Sequence, residues 1–482
     1  MGGCMICMSA RDVVESTGAM LLVEGKRPLA GEVEIDSRRV GEGSLFVAFA
    51  GEKVDGNSYI DAALDAGAAV VCASVEPAQA TLEHARRVDA TLLRAEGDDC
   101  EEFLLRLAGA WRALHQDWTV VAVTGSVGKT TTKDMLRAGI ATQRRVHATA
   151  GNHNNLIGLP MTILSAPKDA EVLVCECGMN HKGEILRLTR CCRPTIAVIT
   201  NVGTSHIGLL GSRENIACAK AEIVEGMEAH GDIRPTLILE SGGDFTSFVS
   251  EKFARPKGID VVCVGSHAGD ILRAQDVTVG EESLPTATFV TQDGWKKTVT
   301  FSVPGRVAVS DALMALEAIT LLGLDRDMAL DAIATMPPTR MRLSVLHAVC
   351  GARIIDDSYN ASPSSMAAAL DVLSRMPTRG RRIAILGEIG ELGQEEKRLH
   401  GYVGAYVAAK PIDLVVFVGK DAAREMAEAA KTMGLSEDAI ELVESVEDVM
   451  KIIPPILKDT DTVLVKASRA AGLDAFVRGV VA

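Results

Sequence analysis

The chain has 482 residues, of which 47% are apolar and 24% charged, and its formal net charge is −14. That length is too great for one ordinary core and points to roughly three domains. The acidic balance disfavours nucleic acid as a partner, since a negative surface repels a phosphate backbone.

No apolar run reaches the ~18–20 residues of a membrane span. The opening MGGCMICMSA is apolar but lacks the basic segment of a secretion signal. A cytoplasmic protein with no membrane span is expected, with a monomer as the default. The 11 cysteines are odd in number and scattered, which suits reduced thiols rather than a disulfide framework. Cys4-x-x-Cys7 has metal or redox spacing, but no second pair lies nearby.

In chain order, residues 1–115 mix short strands and helices: EVEIDSRRV, SLFVAFAG and YIDAALDAGAAVVCAS. An amphipathic helix from Glu101 to His115 leads out of this region. Residues 116–335 open with the apolar strand TVVAVTG, followed by a helix from about Thr130. Four further apolar runs follow: EVLVCEC, PTIAVIT, PTLILE and DVVCVG. Phe301 to Val309 resembles a last strand, and Asp311 to Leu322 a helix. Apolar strands alternating with helices predict a parallel, doubly wound α/β sheet. Residues 336–482 begin near Pro337-Pro338 and repeat the strand–turn–helix pattern in ARIIDDSYN, RRIAILGEIG, DLVVFVG and DTVLVKASR. This predicts a second, Rossmann-like α/β unit. The expected fold is thus α/β in three domains.

The strand TVVAVTG runs into Gly125, Ser126, Val127, Gly128, Lys129, Thr130 and Thr131. The glycines permit a tight turn with amides aimed at phosphate oxygens. The following helix start adds partial positive charge. Lys129 is placed to reach the terminal phosphates of ATP, and the Thr130 hydroxyl to hold magnesium. Further polar residues follow the next strands: Glu176, Asn201, His206 and, 14 residues on, Lys220. Strand carboxyl ends are where open α/β sheets bind ligands. A carboxylate and an imidazole suit a divalent metal, whereas a lysine cation would repel it. Singly, each has a plainer reading: Glu176 in an ion pair, His206 capping a helix, Lys220 solvated on a helix.

The glycine spacing departs from the usual phosphate loop, with Val123 where the first glycine is customary. The variant T-G-x-x-G-K-T-T resembles that of the Mur ligase superfamily, ATP-dependent ligases that join amino acids or peptides through an acyl phosphate. The order Lys129, Glu176, Asn201, His206, Lys220 agrees with it. The resemblance implies a metal set of Thr130, Glu176, His206 and Lys220, with Lys220 carbamylated into an anion. It implies that Lys129, Lys220, His206 and Arg340 are catalytic, that Arg340 contacts the γ-phosphate, and that Asp357 binds the ATP ribose. Without it, a hinge salt bridge would explain Arg340 as well.

Other blocks are similar to one branch of the family, which joins D-alanyl-D-alanine to a UDP-N-acetylmuramoyl (UDP-MurNAc) tripeptide. They are AGNHNN with IGLPMTIL, ECGMNHKGEI, IIDDSYNASPSSMAAAL, LGEIGELG with His400, and LVKASR. The branch implies substrate contacts from Asn152, Asn154, Asn155 and Asn360. Lys466, Ser468 and Arg469 would help close the third domain. Asp36-Ser37-Arg38 looks like part of a nucleotide-sugar domain, where Ser37 and Arg38 can hydrogen bond uracil or pyrophosphate. A relative that adds another amino acid, a folylpolyglutamate synthase, and an ATP-binding scaffold are the alternatives. The D-D-S-Y-N-A block argues against the first two.

Several positions depart from the family pattern. Val127 replaces asparagine or serine, Ser362 an asparagine, Ile389-Gly390 Met-Leu, and Ala467 a glycine. Glu240 and Asp474 stand for asparagine and glutamate. Val307, Ala308 and Asp311 replace His-Asn and a later asparagine in a block that approaches adenine, which predicts altered nucleotide affinity.

Overall fold

The computed structural model describes residues 6, 8–51 and 54–481. The Cys4-x-x-Cys7 pair lies outside the described residues.

Among the described residues, three sheets follow one another along the chain. The first has five strands in the spatial order Met20–Val23, Thr91–Arg94, Val70–Ala73, Leu45–Ala48, Val33–Glu34. All pairings are parallel except that of the first strand. Leu45–Ala48 and Val70–Ala73 are buried throughout, which is why they read as unbroken apolar runs. The helix Cys100–Leu114 follows, its start capped by Asp99, which accepts from the Glu102 amide at 2.9 Å. Its acidic first turn holds Arg187 of the next sheet's layer through Glu101 and Glu102, at 2.7 and 3.0 Å.

The second sheet has nine strands and carries the phosphate loop. From Val146–Ala148 at one edge it runs through Val172–Glu176, Thr119–Thr124, Ile196–Ile199, Thr236–Glu240 and Asp260–Gly265 to Leu272–Val279, all parallel. Pro285–Thr291 and Lys296–Thr300 then fold back antiparallel, so the sheet is mixed. These hairpins were hidden because Lys296–Thr300 alternates exposed threonine and lysine with half-buried positions.

No strand forms over residues 301–309. The chain breaks at Pro304-Gly305, where Gly305 takes φ 92°, and the helix Val307–Leu321 begins. That helix is buried on nearly all sides, and an all-apolar run does not distinguish strand from buried helix.

The third sheet has six strands in the order Ser344–His347, Arg353–Asp357, Thr462–Lys466, Arg382–Gly387, Leu414–Val418, Ile440–Val443. Only the first is antiparallel. Several hydrogen bonds hold this unit against the second. Thr339 Oγ1 donates to Asp134 at 2.5 Å, Ser283 Oγ to the Val372 carbonyl at 2.9 Å, and the Gly208 amide to the Glu391 carbonyl at 2.8 Å. Among the described residues, no helix is long and apolar enough to cross a membrane.

Candidate active site

A cleft of about 690 Å³ opens between the second and third sheets. One wall is the phosphate loop, and its shape follows from two glycines. Gly125 has φ 152°, and a Cβ there would fall 1.8 Å from Thr200 Oγ1. Gly128 has φ 91°, and a Cβ there would fall 2.4 Å from Asp311 Oδ1. Neither position tolerates a side chain.

The neighbouring strand end braces the loop. Asn201 accepts from the Val127 amide at 3.1 Å and donates to the Val127 carbonyl at 2.9 Å. Thr200 Oγ1 donates to the same carbonyl at 2.6 Å. The Gly203 amide donates to Ser126 Oγ at 2.9 Å. Position 127 is therefore held by its backbone, so valine fits where a polar residue is customary.

Lys129 folds back over the loop, donating to the Gly125 carbonyl at 2.8 Å. Burial pushes its ammonium below the usual lysine range, with Glu176 opposing and Arg342 adding to that push. The helix Lys129–Ile140 points its amino end at the same space, and such an end attracts anions.

Glu176 ends its strand 1% exposed. Its Oε1 accepts from Thr130 Oγ1 at 3.2 Å and Asn154 Nδ2 at 2.8 Å. Its Oε2 has no partner among the described residues. A buried carboxylate oxygen without a donor is costly, and a cation beside the Thr130 hydroxyl would satisfy it. Among the described residues no group of three or more His, Cys, Asp or Glu could hold a metal. An ion here would draw most of its ligands from phosphate and water, the habit of magnesium rather than of zinc.

His206 also lines the cleft, in a left-handed conformation with φ 64°. Its Nδ1 is held by the Glu391 carboxylate of the third sheet's unit, which turns Nε2 away. That bond also draws the Glu391 carboxyl below its ordinary range. Lys220 lies behind the cleft wall rather than on it, only 1% exposed on the helix Arg213–Ala221. Burial, then the charge of Lys129, push its amine well below the usual lysine range. A solvated helix lysine is thereby excluded.

Asn152 and Asn154 line the cleft, but Asn155 does not. Its Oδ1 instead accepts from the Ile157 and Gly158 amides at 3.3 and 2.8 Å, where the helix Gly158–Leu164 begins. Ser37 and Arg38 sit on the short turn Ser37–Arg39 of the first sheet's unit, outside this cleft. Arg38 is exposed and paired with Asp36 at 2.5 Å.

The opposite wall is built from charge pairs. Lys466 Nζ, 2% exposed, donates to Asp357 Oδ2 at 2.5 Å and to the Asn360 carbonyl at 2.9 Å. Burial raises the Asp357 carboxyl and Lys466 pulls it back. Ser468 and Arg469 line the same wall.

Arg340 is exposed and lies outside the cleft lining, where a γ-phosphate contact was expected of it. Arg342 lines the cleft instead, its guanidinium 4.4 Å from the Tyr359 ring centre. Left-handed conformations at Met341 (φ 61°) and Leu343 (φ 54°) turn the chain so that the second arginine of R-M-R faces in. Arg342 and Tyr359 were not among the expected site residues, although Tyr359 lies in the IIDDSYNASPSSMAAAL block and Arg342 stands two residues after Arg340. Asp311, seen only as a departure, forms the floor under Gly128.

The chain matches three family descriptions: Mur ligase family, catalytic domain, over residues 31–112; Mur ligase middle domain over 123–319; and Mur ligase, glutamate ligase domain, over 341–469. It is 33% identical over 479 residues to the UDP-N-acetylmuramoyl-tripeptide–D-alanyl-D-alanine ligase of Bacillus subtilis, covering 99% of each chain. The Escherichia coli protein of the same name is 30% identical over 92% of each. Among solved structures, MurF from Acinetobacter baumannii superposes with a TM-score of 0.84 at 25% identity, covering 98% of this chain and 99% of that one. MurF ligase from Thermotoga maritima in complex with ADP gives 0.77 at 28% identity, over 93% and 96%. With family matches along most of its length and full-length relatives above 30% identity, the chain belongs to the Mur ligase family.

Proposed function

We propose that this protein joins D-alanyl-D-alanine to UDP-MurNAc-tripeptide at the expense of ATP, in the cytoplasm. One observation carries the reading. A phosphate loop with Lys129 and a half-satisfied Glu176 faces Arg342, Asp357 and Lys466 across a single cleft. The names of the full-length relatives agree with it. We assign nucleotide-sugar binding to residues 1–115, ATP binding to 116–335 and closure over the site to 336–482.

The chemistry needs an activated carboxylate, because a carboxylate and an amine do not condense in water. The loop amides of Gly125 to Thr131 cradle the ATP phosphates, and Asp357 binds the ribose. The terminal carboxylate of the tripeptide attacks the γ-phosphorus, the bond to ADP breaks, and an acyl phosphate forms. Lys129 and Arg342 neutralise the charge that develops on the transferring group. The amine of D-alanyl-D-alanine then attacks the acyl carbon. Phosphate leaves, and the amine proton passes to solvent.

Thr130, Glu176 and His206 would hold Mg2+, which when bound supplies positive charge at the phosphates. Glu391 keeps the His206 ring turned for that task. Burial favours the uncharged amine of Lys220, the form that adds carbon dioxide to give a carbamate and release one proton. A carbamate supplies an anion beside Lys129. Asn152, Asn154 and Asn360 are placed for the peptide substrates, and Ser37 and Arg38 for the nucleotide sugar. Asn155 acts through the helix it caps.

Phosphate release tests the reading. With ATP, Mg2+ and UDP-MurNAc-tripeptide, release should depend on added D-alanyl-D-alanine. Release that ignores the dipeptide, or requires a different amine, would overturn it. Lys220→Ala should lose activity that a small carboxylate partly restores, and absence of rescue would count against the carbamate.

A further inference from the structure

Asp311 is the one cleft-lining carboxyl on the helix Val307–Leu321, and it is 3% exposed. It stands directly beneath the phosphate loop, with Oδ1 in the space a Gly128 Cβ would fill, 2.4 Å from that point. No salt bridge satisfies it among the described residues, unlike Asp357, which has Lys466. The groups facing it are few. From the helix Lys129–Ile140 comes the Thr132 hydroxyl, from the end of Thr236–Glu240 the Glu240 carboxyl, and from the linker Arg342. On its own helix, Ser310 is engaged with Glu240 at 3.2 Å. A full negative charge at this place would oppose both its burial and the phosphates the loop is shaped to hold.

Resting on the nucleotide-site reading above, we propose that Asp311 is a proton-bearing positioning residue. Its neutral carboxylic acid supports the Gly128 turn, and loss of its proton expels the nucleotide. The acid then does what a carboxamide would do at that place, with one difference: it can be switched off. Burial pushes Asp311 up to about 8, Glu240 adds to the push, and Thr132 and Arg342 oppose it. The site is thereby poised to release nucleotide as pH rises above neutrality.

The test is direct binding of ADP with Mg2+ to the full chain by calorimetry between pH 6.5 and 9.5, which needs no ligation. Wild type should hold affinity to about pH 8 and then lose roughly tenfold per pH unit, the slope of one linked proton. Asp311→Asn should lose that alkaline limb. Glu240→Gln, by removing the neighbouring carboxyl, should move the limb to lower pH, a displacement that a merely structural role would not produce. A limb that survives in Asp311→Asn belongs to Lys129 and overturns the proposal, as does wild-type binding that stays flat to pH 9.5. Should the asparagine variant fail to fold, an unmoved limb in Glu240→Gln overturns it equally. Absent ligation with the limb intact would sink the ligase assignment and leave this proposal standing.

Discussion

The two walls of the cleft are made by different means. The phosphate-loop wall is backbone: two glycines set its turn, and Thr200 and Asn201 hold it by hydrogen bonds within one sheet. The facing wall is side chain: a buried Lys466–Asp357 pair, and Arg342 laid on Tyr359. Backbone turns are preformed and tolerate side-chain change, as Val127 illustrates. The charge pairs sit on a separate unit, which His206 with Glu391 and Thr339 with Asp134 tie to the loop wall. In the proposed reaction the first wall holds the nucleotide and the second completes the site around it.

That contrast can be broken at several points. The largest effect is expected of Lys129→Ala, which removes the cation carried by the phosphate loop itself. Phosphate release should fall by at least about 10³-fold, checked by steady-state assay. Near-normal turnover would end the distinction between the walls. On the facing wall, Arg342→Ala should lower kcat by about 10²-fold while ADP binding changes little. Arg340→Ala, exposed and outside the cleft, should stay within about threefold. A reversal of that pair would restore the contact first expected of Arg340.

Breaking the buried pair by Lys466→Met leaves Asp357 buried with no cation bonded to it. It should cost about 3–5 kcal/mol, read as a lower denaturant midpoint for the third unit. Glu391→Gln loosens the hold on the His206 ring and should weaken Mg2+ affinity by about tenfold, seen as a raised metal requirement.

The floor of the loop shows itself in stability against pH rather than in turnover. Asp311 titrates near 8 when folded and near 3.8 when free, so the folded chain holds a proton that the unfolded chain releases. Stability is therefore lost as pH rises from about 4 to about 8, and levels off above. The Tm advantage of Asp311→Asn over wild type should be near zero at pH 4, grow to pH 8 and then stay constant. A pH-independent difference would show that the carboxyl is ionised in the fold.

The backbone wall was legible in the sequence because its physics is local. Glycines, lysine and threonines stand consecutively after an apolar strand, and the order Glu176, Asn201, His206, Lys220 follows the sheet. The facing wall was less legible. R-M-R offers two arginines, and only the left-handed turns at Met341 and Leu343 decide which points inward. Asn155 looked like a substrate group beside Asn152 and Asn154, yet one residue of offset makes it a helix cap. In the fold, buried parallel strands announced themselves, while the hairpins from Leu272 to Thr300 did not. Their polar, half-exposed faces resemble loop, and the apolar run after Gly305 is a buried helix.

The central claim is that a carboxylate is activated by phosphoryl transfer within this cleft. It is tested most directly by oxygen tracing. UDP-MurNAc-tripeptide labelled with 18O in its terminal carboxylate is turned over with ATP and D-alanyl-D-alanine, and the released phosphate is examined by mass spectrometry. An acyl phosphate requires one labelled oxygen in each phosphate formed. Unlabelled phosphate, released at the same rate, would mean that water and not the carboxylate attacks ATP, and would contradict the account.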